Sequence, residues 1–407
     1  MQTFRPTKLT ELEQVVAWAV AEDTALEVIG RGSKRGLGRP IEAAAELRLD
    51  RLSGIGMYEP DELVMSAAAG TPLATIEAEL AERHQELAFE PADYGLILGG
   101  EPRQQSIGGV FACNLAGPRR LKAGAARDHL LGVQCVTGHG QTIKTGGRVM
   151  KNVTGYDLCK LLAGSYGTLA VASQLTFKVL PAAADCTTLL LGGNDEVALL
   201  AVLRRAVGTS AEVSSAALLP AAAGRRSMVP SVAAAGRPLA CLRLEGTSVS
   251  IVYRIDSLER ICVTPGGLEA SRLDAEASRT LWREIRDVRL LDPALPLLWR
   301  VSCPPTAAAR VMAGASSLGA GMLLDWAGGL VWVAHGPDDG EEAAGALRHA
   351  LAECGGHATL VRAPAELRAR IAPFQPQPEA LAALGRRVKQ GFDPKGVLNP
   401  GRMYAGG

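Results

Sequence analysis

The sequence predicts an α+β chain of two lobes and a tail, and three observations carry that prediction. Short apolar strand patterns alternate with amphipathic helix patterns along the chain. Glycine-rich loops crowd the first half, and past Pro181 the connections turn to Ala, Gly and Ser. At 407 residues the chain also exceeds the size at which a single core keeps growing.

Taken in order, TKLTELEQVVAWAVAED from Thr7 predicts a helix with Leu12, Val15, Val16, Ala19 and Val20 on one stripe, after a Thr-x-x-Glu cap at Thr10 and Glu13. Ala25 to Ile29 is a buried-strand pattern that runs into GRGSKRGLGRP, a loop with glycines at 30, 32, 36 and 38. Strand patterns follow at Leu47 to Leu52 and Leu63 to Ala69. Thr71 and Pro72 then predict the N-cap and first turn of a helix. Residues 89–126 are rich in Gly, Pro and polar side chains, and a loop region this long is usually functional. Gly132 to Lys144 predicts a hairpin around Gly-His-Gly, Tyr156 to Ala163 a helix, and Leu169 to Val179 a strand stopped by Pro181.

In the second half, strands are predicted at Leu239 to Leu244, Leu297 to Ser302, Gly321 to Trp326 and Leu330 to His335. Helices are predicted at Asp195 to Val207, Thr247 to Arg260, Ala275 to Arg286 and Glu341 to Ala352. SVSIVYRI, inside the second of these, is also a fair strand pattern. A last helix from Pro378 to Gln390 precedes an extended Pro/Gly/Asn segment.

Composition excludes several classes of function. Hydrophobic residues make up 47% and aromatics 4%, which describes a globular interior built of Ala, Val and Leu. Lys and Arg number 43 against 42 acidic residues, so the net charge of +1 offers no general attraction to nucleic acid or an anionic membrane. The eight cysteines are dispersed without a Cys-x-x-Cys pair, so no zinc or iron–sulfur site is predicted and buried reduced thiols are expected. Neither a secretory leader nor a membrane-crossing run is read, and a cytoplasmic protein is expected.

Glycine clusters at strand ends let backbone N–H groups approach a diphosphate. Gly30-Arg31-Gly32-Ser33-Lys34-Arg35 departs from the dinucleotide fingerprint, with Arg where the third glycine belongs, and no Walker motif is present. Four glycine loops, at 30–38, 70–72, 106–109 and 164–168, nevertheless point to one large extended ligand.

The order GRGSKRG, AAGTPL, QSIGGVFACNLAG, ARDHLLGVQCVTGHGQ, GYDLCKLLAGSYGTLAV resembles the FAD-binding domain of the vanillyl-alcohol-oxidase type, also called PCMH-type. The tail FDPKGVLNPGRM resembles that superfamily's C-terminal signature. More narrowly, GPRRLKAGAARDHLLG with GGRVMKNVTGYDLCKLLAGSYGTLAV is similar to the E-subunit family of bacterial glycolate oxidases. Those are FAD-binding components that work with a second FAD subunit and an iron–sulfur subunit. The resemblance is strong over residues 1–181, good over the last thirty and general between.

What the resemblance implies is a PCMH-type FAD-binding domain of two α+β subdomains at 1–181, a smaller α+β cap domain at 182–370, and a helix and tail at 371–407 that pack back on the FAD domain. Arg31, Gly32, Ser33 and Lys34 are expected along the FAD pyrophosphate. Gly70, Thr71, Pro72, Ser106, Ile107, Gly108, Gly109 and Asn114 are expected to line the cofactor, with Gly164, Ser165, Gly167, Thr168 and Val171 closing around it. Members with covalent flavin use a His in the first loop where this chain has Ser33, so noncovalent FAD is expected.

A flavin that oxidises a small 2-hydroxy acid needs cations for the carboxylate and a base or metal for the hydroxyl proton. Related D-2-hydroxy-acid dehydrogenases carry a His-x-His motif that this chain lacks, so no metal is expected and independent catalysis is in doubt. Candidate catalytic residues are His335, Lys151 and His129, each with a structural alternative: a packed strand histidine, a loop-holding lysine, and, for Asp128-His129, a hydrogen bond that pins the loop. Arg119, Arg120 and Arg127 either bind a carboxylate or an acidic partner face, or are simply solvated. Three readings stay open: an FAD subunit of a glycolate oxidase complex that relays electrons to an iron–sulfur subunit, a self-sufficient flavin dehydrogenase, and a noncatalytic assembly subunit. Membrane association is expected only through the complex.

Overall fold

The computed structural model describes residues 1–148, 155–263, 267–337 and 340–406. They form two compact units. One comprises Met1–Ala116, Gly124–Ala182 and Pro376–Gly407, and the other Gly117–Ala123 and Ala183–Gln375. The seven residues 117–123 thus belong to the second unit, although the contiguous reading of the sequence put them in the first.

In the first unit, strand Ala45–Arg48 lies between Gln2–Phe4 and Leu26–Ile29 in a parallel sheet. Glu27 and Glu46 are neighbours across that sheet, and both accept hydrogen bonds from the Arg35 guanidinium. A five-stranded antiparallel sheet runs Ile55–Glu59, Val64–Ala68, Ala170–Lys178, Leu130–Thr137, Thr142–Gly146. Its last two strands are the hairpin expected around Gly138-His139-Gly140.

Two helix starts differ from expectation for local reasons. Helix Leu9–Ala21 buries Leu12, Val16 and Ala19, but Thr10 lies inside it. The start is tied instead by Thr7, whose N–H and hydroxyl donate to Glu11 at 2.8 and 3.0 Å. Helix Leu73–Glu82 has Pro72, not Thr71, at its cap position. The fully buried Thr71 hydroxyl turns inward, donating to Ala68 O at 2.7 Å and accepting from Gly54 N at 2.9 Å, and so leaves the helix uncapped.

The tail is woven into this unit. After helix Glu379–Phe392 the chain pairs alongside Leu26: Leu26 N donates to Val397 O at 2.8 Å and Asn399 N to Leu26 O at 3.0 Å. Asp393 holds the turn, accepting from Val397 N, Leu398 N and the Lys389 ammonium at 3.0, 2.8 and 2.7 Å.

The second unit is one eight-stranded antiparallel sheet, ordered Glu269–Leu273, Asp185–Gly192, Leu239–Gly246, Ser215–Leu219, Gly321–Asp325, Leu330–His335, Leu297–Ser302, His357–Arg362. Helices Glu196–Val207, Ser248–Val263, Ala308–Ser316 and Gly340–Leu351 pack on one face in a Leu- and Val-rich core. SVSIVYRI is helical because Ile251, Ile255, Leu258 and Cys262 fall on the buried stripe. Helix Ala275–Arg286 lies apart from that core, with Trp282 Nε1 donating to Thr188 Oγ1 at 2.9 Å.

Candidate functional site

A cleft enclosing about 980 Å³, its open mouth included, runs through the first unit. Strand Leu26–Ile29 delivers the chain into Gly30–Arg35 at its rim. A second wall is the start of helix Ile107–Ala112, capped where Ser106 Oγ accepts from Gly109 N at 3.3 Å. The antiparallel sheet contributes an apolar floor of Leu130, Val133, Val171 and Leu175. The tail adds Asn399 and Arg402.

Gly30 shows why the loop is glycine: a Cβ there would stand 2.3 Å from Ser106 Oγ. Gly167, at φ +71°, lies where a Cβ would meet the Asn399 amide nitrogen at 2.9 Å. Asn399 itself spans the site, accepting from Val28 N at 2.7 Å and donating to Tyr166 O at 2.9 Å.

Of the residues expected along a cofactor, Arg31, Gly32, Ser33, Lys34, Ser106, Gly108, Gly109, Ser165, Gly167 and Val171 line this cleft. Gly70, Thr71, Pro72, Ile107, Asn114, Gly164 and Thr168 are not among its lining residues. Their contacts hold the walls. At Gly70 a Cβ would lie 1.7 Å from Leu49 O, Pro72 bridges Ser106, Asn114 Oδ1 accepts from Arg127 N, and the Thr168 hydroxyl donates to Ser165 O. Gly30, Cys113, Tyr166, Asn399 and Arg402 also line the cleft and were not expected as site residues. For the last two the signal was present in NPGRM, but only the fold shows where the tail returns.

Residues 2–146 match the family model described as "FAD binding domain". The glycolate oxidase subunit GlcE of Escherichia coli (strain K12) is 34% identical over 396 residues, 97% of this chain and 96% of that protein. The chain belongs to the GlcE family of glycolate oxidase subunits. As a GlcE-family member it is an FAD-dependent oxidoreductase subunit. It is also 23% identical to the glycolate oxidase subunit GlcD of Bacillus subtilis (strain 168), over 98% of this chain and 88% of that protein. p-Cresol methylhydroxylase has the same fold, with a TM-score of 0.69 at 14% identity over 98% of this chain and 88% of that one. So has the 4-ethylphenol oxidase of Gulosibacter chungangensis, with a TM-score of 0.72 at 13% identity over 99% and 89%.

The cleft of this GlcE-family chain fits a dinucleotide. Its glycine loops bring backbone to the rim without side chains in the way, and two cations serve it from within. The Arg31 Nε is buried without a hydrogen-bond partner among the described residues. The Lys34 ammonium bonds Gln105 Oε1 at 2.9 Å and Ser33 Oγ at 3.2 Å, and burial pushes it down to about 8 against the pull of Cys113 and Asp93. Below that value it offers a positive charge to an anionic group. The Cys113 thiol is pushed up by burial, more than Lys34 and Arg402 draw it down.

The candidate catalytic residues do not gather in the cleft. His129 is fully buried in the same unit, its ring 5.1 Å from Phe89, while Asp128 pins the loop by accepting from Ala125 N at 2.9 Å. His335, in the second unit, is 1% exposed, and its Nε2 accepts from Trp299 Nε1 at 3.2 Å. Lys151 lies outside the described residues. Arg119 is not solvated: it pairs with Glu245 at 3.2 Å in the second unit, and Arg120 there stacks on Trp326. Arg127 is exposed. Among the described residues no three His, Cys, Asp or Glu side chains group as metal ligands, and no helix is long and apolar enough to cross a membrane.

Proposed function

We propose that this chain is the FAD-carrying subunit of a complex that oxidises glycolate, or a closely related 2-hydroxy acid, to the 2-oxo acid. A second FAD subunit and an iron–sulfur subunit are its partners, and the iron–sulfur subunit takes the electrons. The observation that carries this reading is the 34% identity to the E. coli glycolate oxidase subunit, which runs through nearly the whole of both chains. A subunit sharing only a nucleotide-binding module would lose that match after residue 146, where the family model ends. Any association with the inner membrane comes through the complex.

In this reading Arg31, Gly32, Ser33 and Lys34 hold the FAD pyrophosphate by charge and backbone N–H groups. Ser106, Gly108 and Gly109 form the facing wall, and Ser165, Gly167 and Val171 close the apolar side. Gly70, Thr71, Pro72, Ile107, Asn114, Gly164 and Thr168 act one layer back, fixing the loops that touch the cofactor. Ser33 at the loop position that carries histidine in covalent relatives makes the attachment noncovalent. Bound flavin supplies a two-electron acceptor; the protein supplies orientation, a dry cleft and anion-stabilising groups.

The test is an absorbance spectrum of the purified chain, with FAD released by heat and counted, followed by anaerobic glycolate and D-lactate. One FAD per chain that stays oxidised until the partner subunits are added is the expected result. Rapid bleaching in the isolated chain would show a self-sufficient dehydrogenase, and no FAD even after reconstitution would leave a noncatalytic assembly role.

A further inference from the structure

One side chain of the tail ties two walls of the cleft together. Strand Leu26–Ile29 is the outer strand of its three-stranded sheet, and the tail runs along its open edge. Leu26 N donates to Val397 O at 2.8 Å and Asn399 N to Leu26 O at 3.0 Å, so the next N–H on that edge belongs to Val28. A side chain meets it in place of a tail carbonyl: Asn399 Oδ1 accepts from Val28 N at 2.7 Å and supplies the next rung. The other end of the same amide, Nδ2, donates to Tyr166 O at 2.9 Å, in the turn between helix Leu158–Leu162 and strand Ala170–Lys178.

This amide, in a residue 1% exposed, therefore joins two segments that both line the cleft, 28–35 and 165–167. Asn399 stands at φ 45° and Tyr166 at φ 55°, so both present these groups from left-handed backbone, which asparagine adopts more readily than most residues. The turn is tied onward to helix Ile107–Ala112, with Tyr166 N donating to Ala112 O at 2.9 Å and Gly164 N to Phe111 O at 3.1 Å. On either side of Asn399 the tail is fastened to the same two segments. The Lys389 ammonium donates to Thr168 O at 2.7 Å and Leu398 O at 3.0 Å, and Arg402 Nη1 donates to Arg35 O at 3.3 Å.

A dinucleotide held by both segments binds only while they keep a fixed separation, and no cofactor atom has to reach Asn399 for that. We propose that Asn399 is a positioning residue for the cofactor: its amide clasps the first glycine loop to the 164–168 turn, so that tail docking and FAD binding stabilise one another. The choice of FAD as occupant of the cleft rests on the proposed function. Whatever fastens the tail favours binding, and by reciprocity bound FAD favours the docked tail by the same factor. The position needs one acceptor and one donor in a single plane, and aspartate, which accepts from Val28, cannot donate to Tyr166.

Flavin fluorescence on dilution measures FAD release from the loaded full chain in wild type, Asn399→Asp and Asn399→Gly, the last keeping the left-handed backbone without the amide. Lys34→Met is measured alongside, and amide exchange of the wild type is followed with and without FAD. Release about tenfold or more faster in both Asn399 variants is the expected result, with a smaller FAD-induced rise in melting temperature. In the wild type the Val28 and Asn399 amides should slow on FAD binding by a larger factor than amides of the second unit's sheet. A purely structural asparagine would lower the melting temperatures of the apo and loaded chains equally and leave release unaltered, which overturns the clasp. Equal exchange at Val28 and Asn399 with and without FAD overturns it too, and needs no variant to fold. Weaker FAD binding in Lys34→Met with wild-type release from both Asn399 variants overturns the clasp and leaves the cleft as the FAD site. FAD binding unchanged in Lys34→Met and in both Asn399 variants overturns the cleft as that site, and the clasp with it.

Discussion

The two units solve opposite packing problems. In the first, backbone comes close to backbone: Gly70 sits against Leu49 O, Gly108 against Ala69 O and Gly138 against Asp393, leaving space elsewhere for a cleft served by Lys34 and Arg31. In the second, four helices and one sheet fill the interior with Leu, Val and Ala, and charged side chains, Arg120 and Arg300 stacked on Trp326 among them, stand outside that core. A site made of backbone is written locally as glycine. One made of side chains from distant strands has no local signature.

If the first unit depends on such close approaches, its most damaging substitutions lie away from the cleft. Asp393→Ala removes the acceptor of two tail N–H groups and the counter-ion of the partly buried Lys389 ammonium, which keeps only the Thr168 and Leu398 carbonyls, a loss of about 3 kcal/mol or more, seen as a lower melting temperature and release of FAD. Gly70→Ala is expected to cost about 3 kcal/mol although Gly70 does not line the cleft, because the added carbon meets main-chain oxygen that cannot rotate away. Denaturant titration checks both; a melt within a degree of wild type would mean that the backbone contacts relax freely.

Lys34→Met probes the cleft itself. Loss of one charge-assisted contact is worth about 1.5–3 kcal/mol, so FAD affinity should fall by tenfold or more with little change in fold. The wild type should also bind FAD with constant affinity below about pH 8 and progressively more weakly above it, since the ammonium loses its proton as pH rises past its lowered value. Fluorescence of released flavin against pH reads this directly, and Lys34→Met should flatten the profile between pH 7 and 9.

The second unit should respond by packing rather than by chemistry. His335→Leu leaves the Trp299 indole N–H without its acceptor and is expected to cost about 1–3 kcal/mol while turnover per bound flavin in the complex stays unchanged. A tenfold fall in turnover at full stability would return His335 to the catalytic list. The smallest effect is expected at Gly345, inside helix Gly340–Leu351, where a Cβ meets nothing within 4 Å. Gly345→Ala should raise stability by about 0.5–1 kcal/mol, opposite in sign to Gly70→Ala.

Amino-acid order by itself determined the regular elements whose pattern is local. Helix Ala275–Arg286 and strands Leu297–Ser302 and Leu330–His335 stand at their expected limits, because periodicity and flanking turn residues suffice to specify them. Sequence also marked the glycine loops, since a backbone that must approach another atom admits no other residue at positions such as Gly30. It passed over Ser215–Leu219, a strand buried at every position and so without alternation, and Glu269–Leu273 at the sheet edge. It misplaced the Thr10 and Thr71 caps, because a hydroxyl chooses among acceptors that only folding brings near. Only the tertiary structure decided that residues 117–123 join the second unit, that Asn399 and Arg402 reach a cleft whose other lining residues lie more than 200 residues before them in the chain, and that Arg120 and Arg300 both stack on Trp326. Strand pairing and chain return set those distances, and no short stretch of sequence contains them.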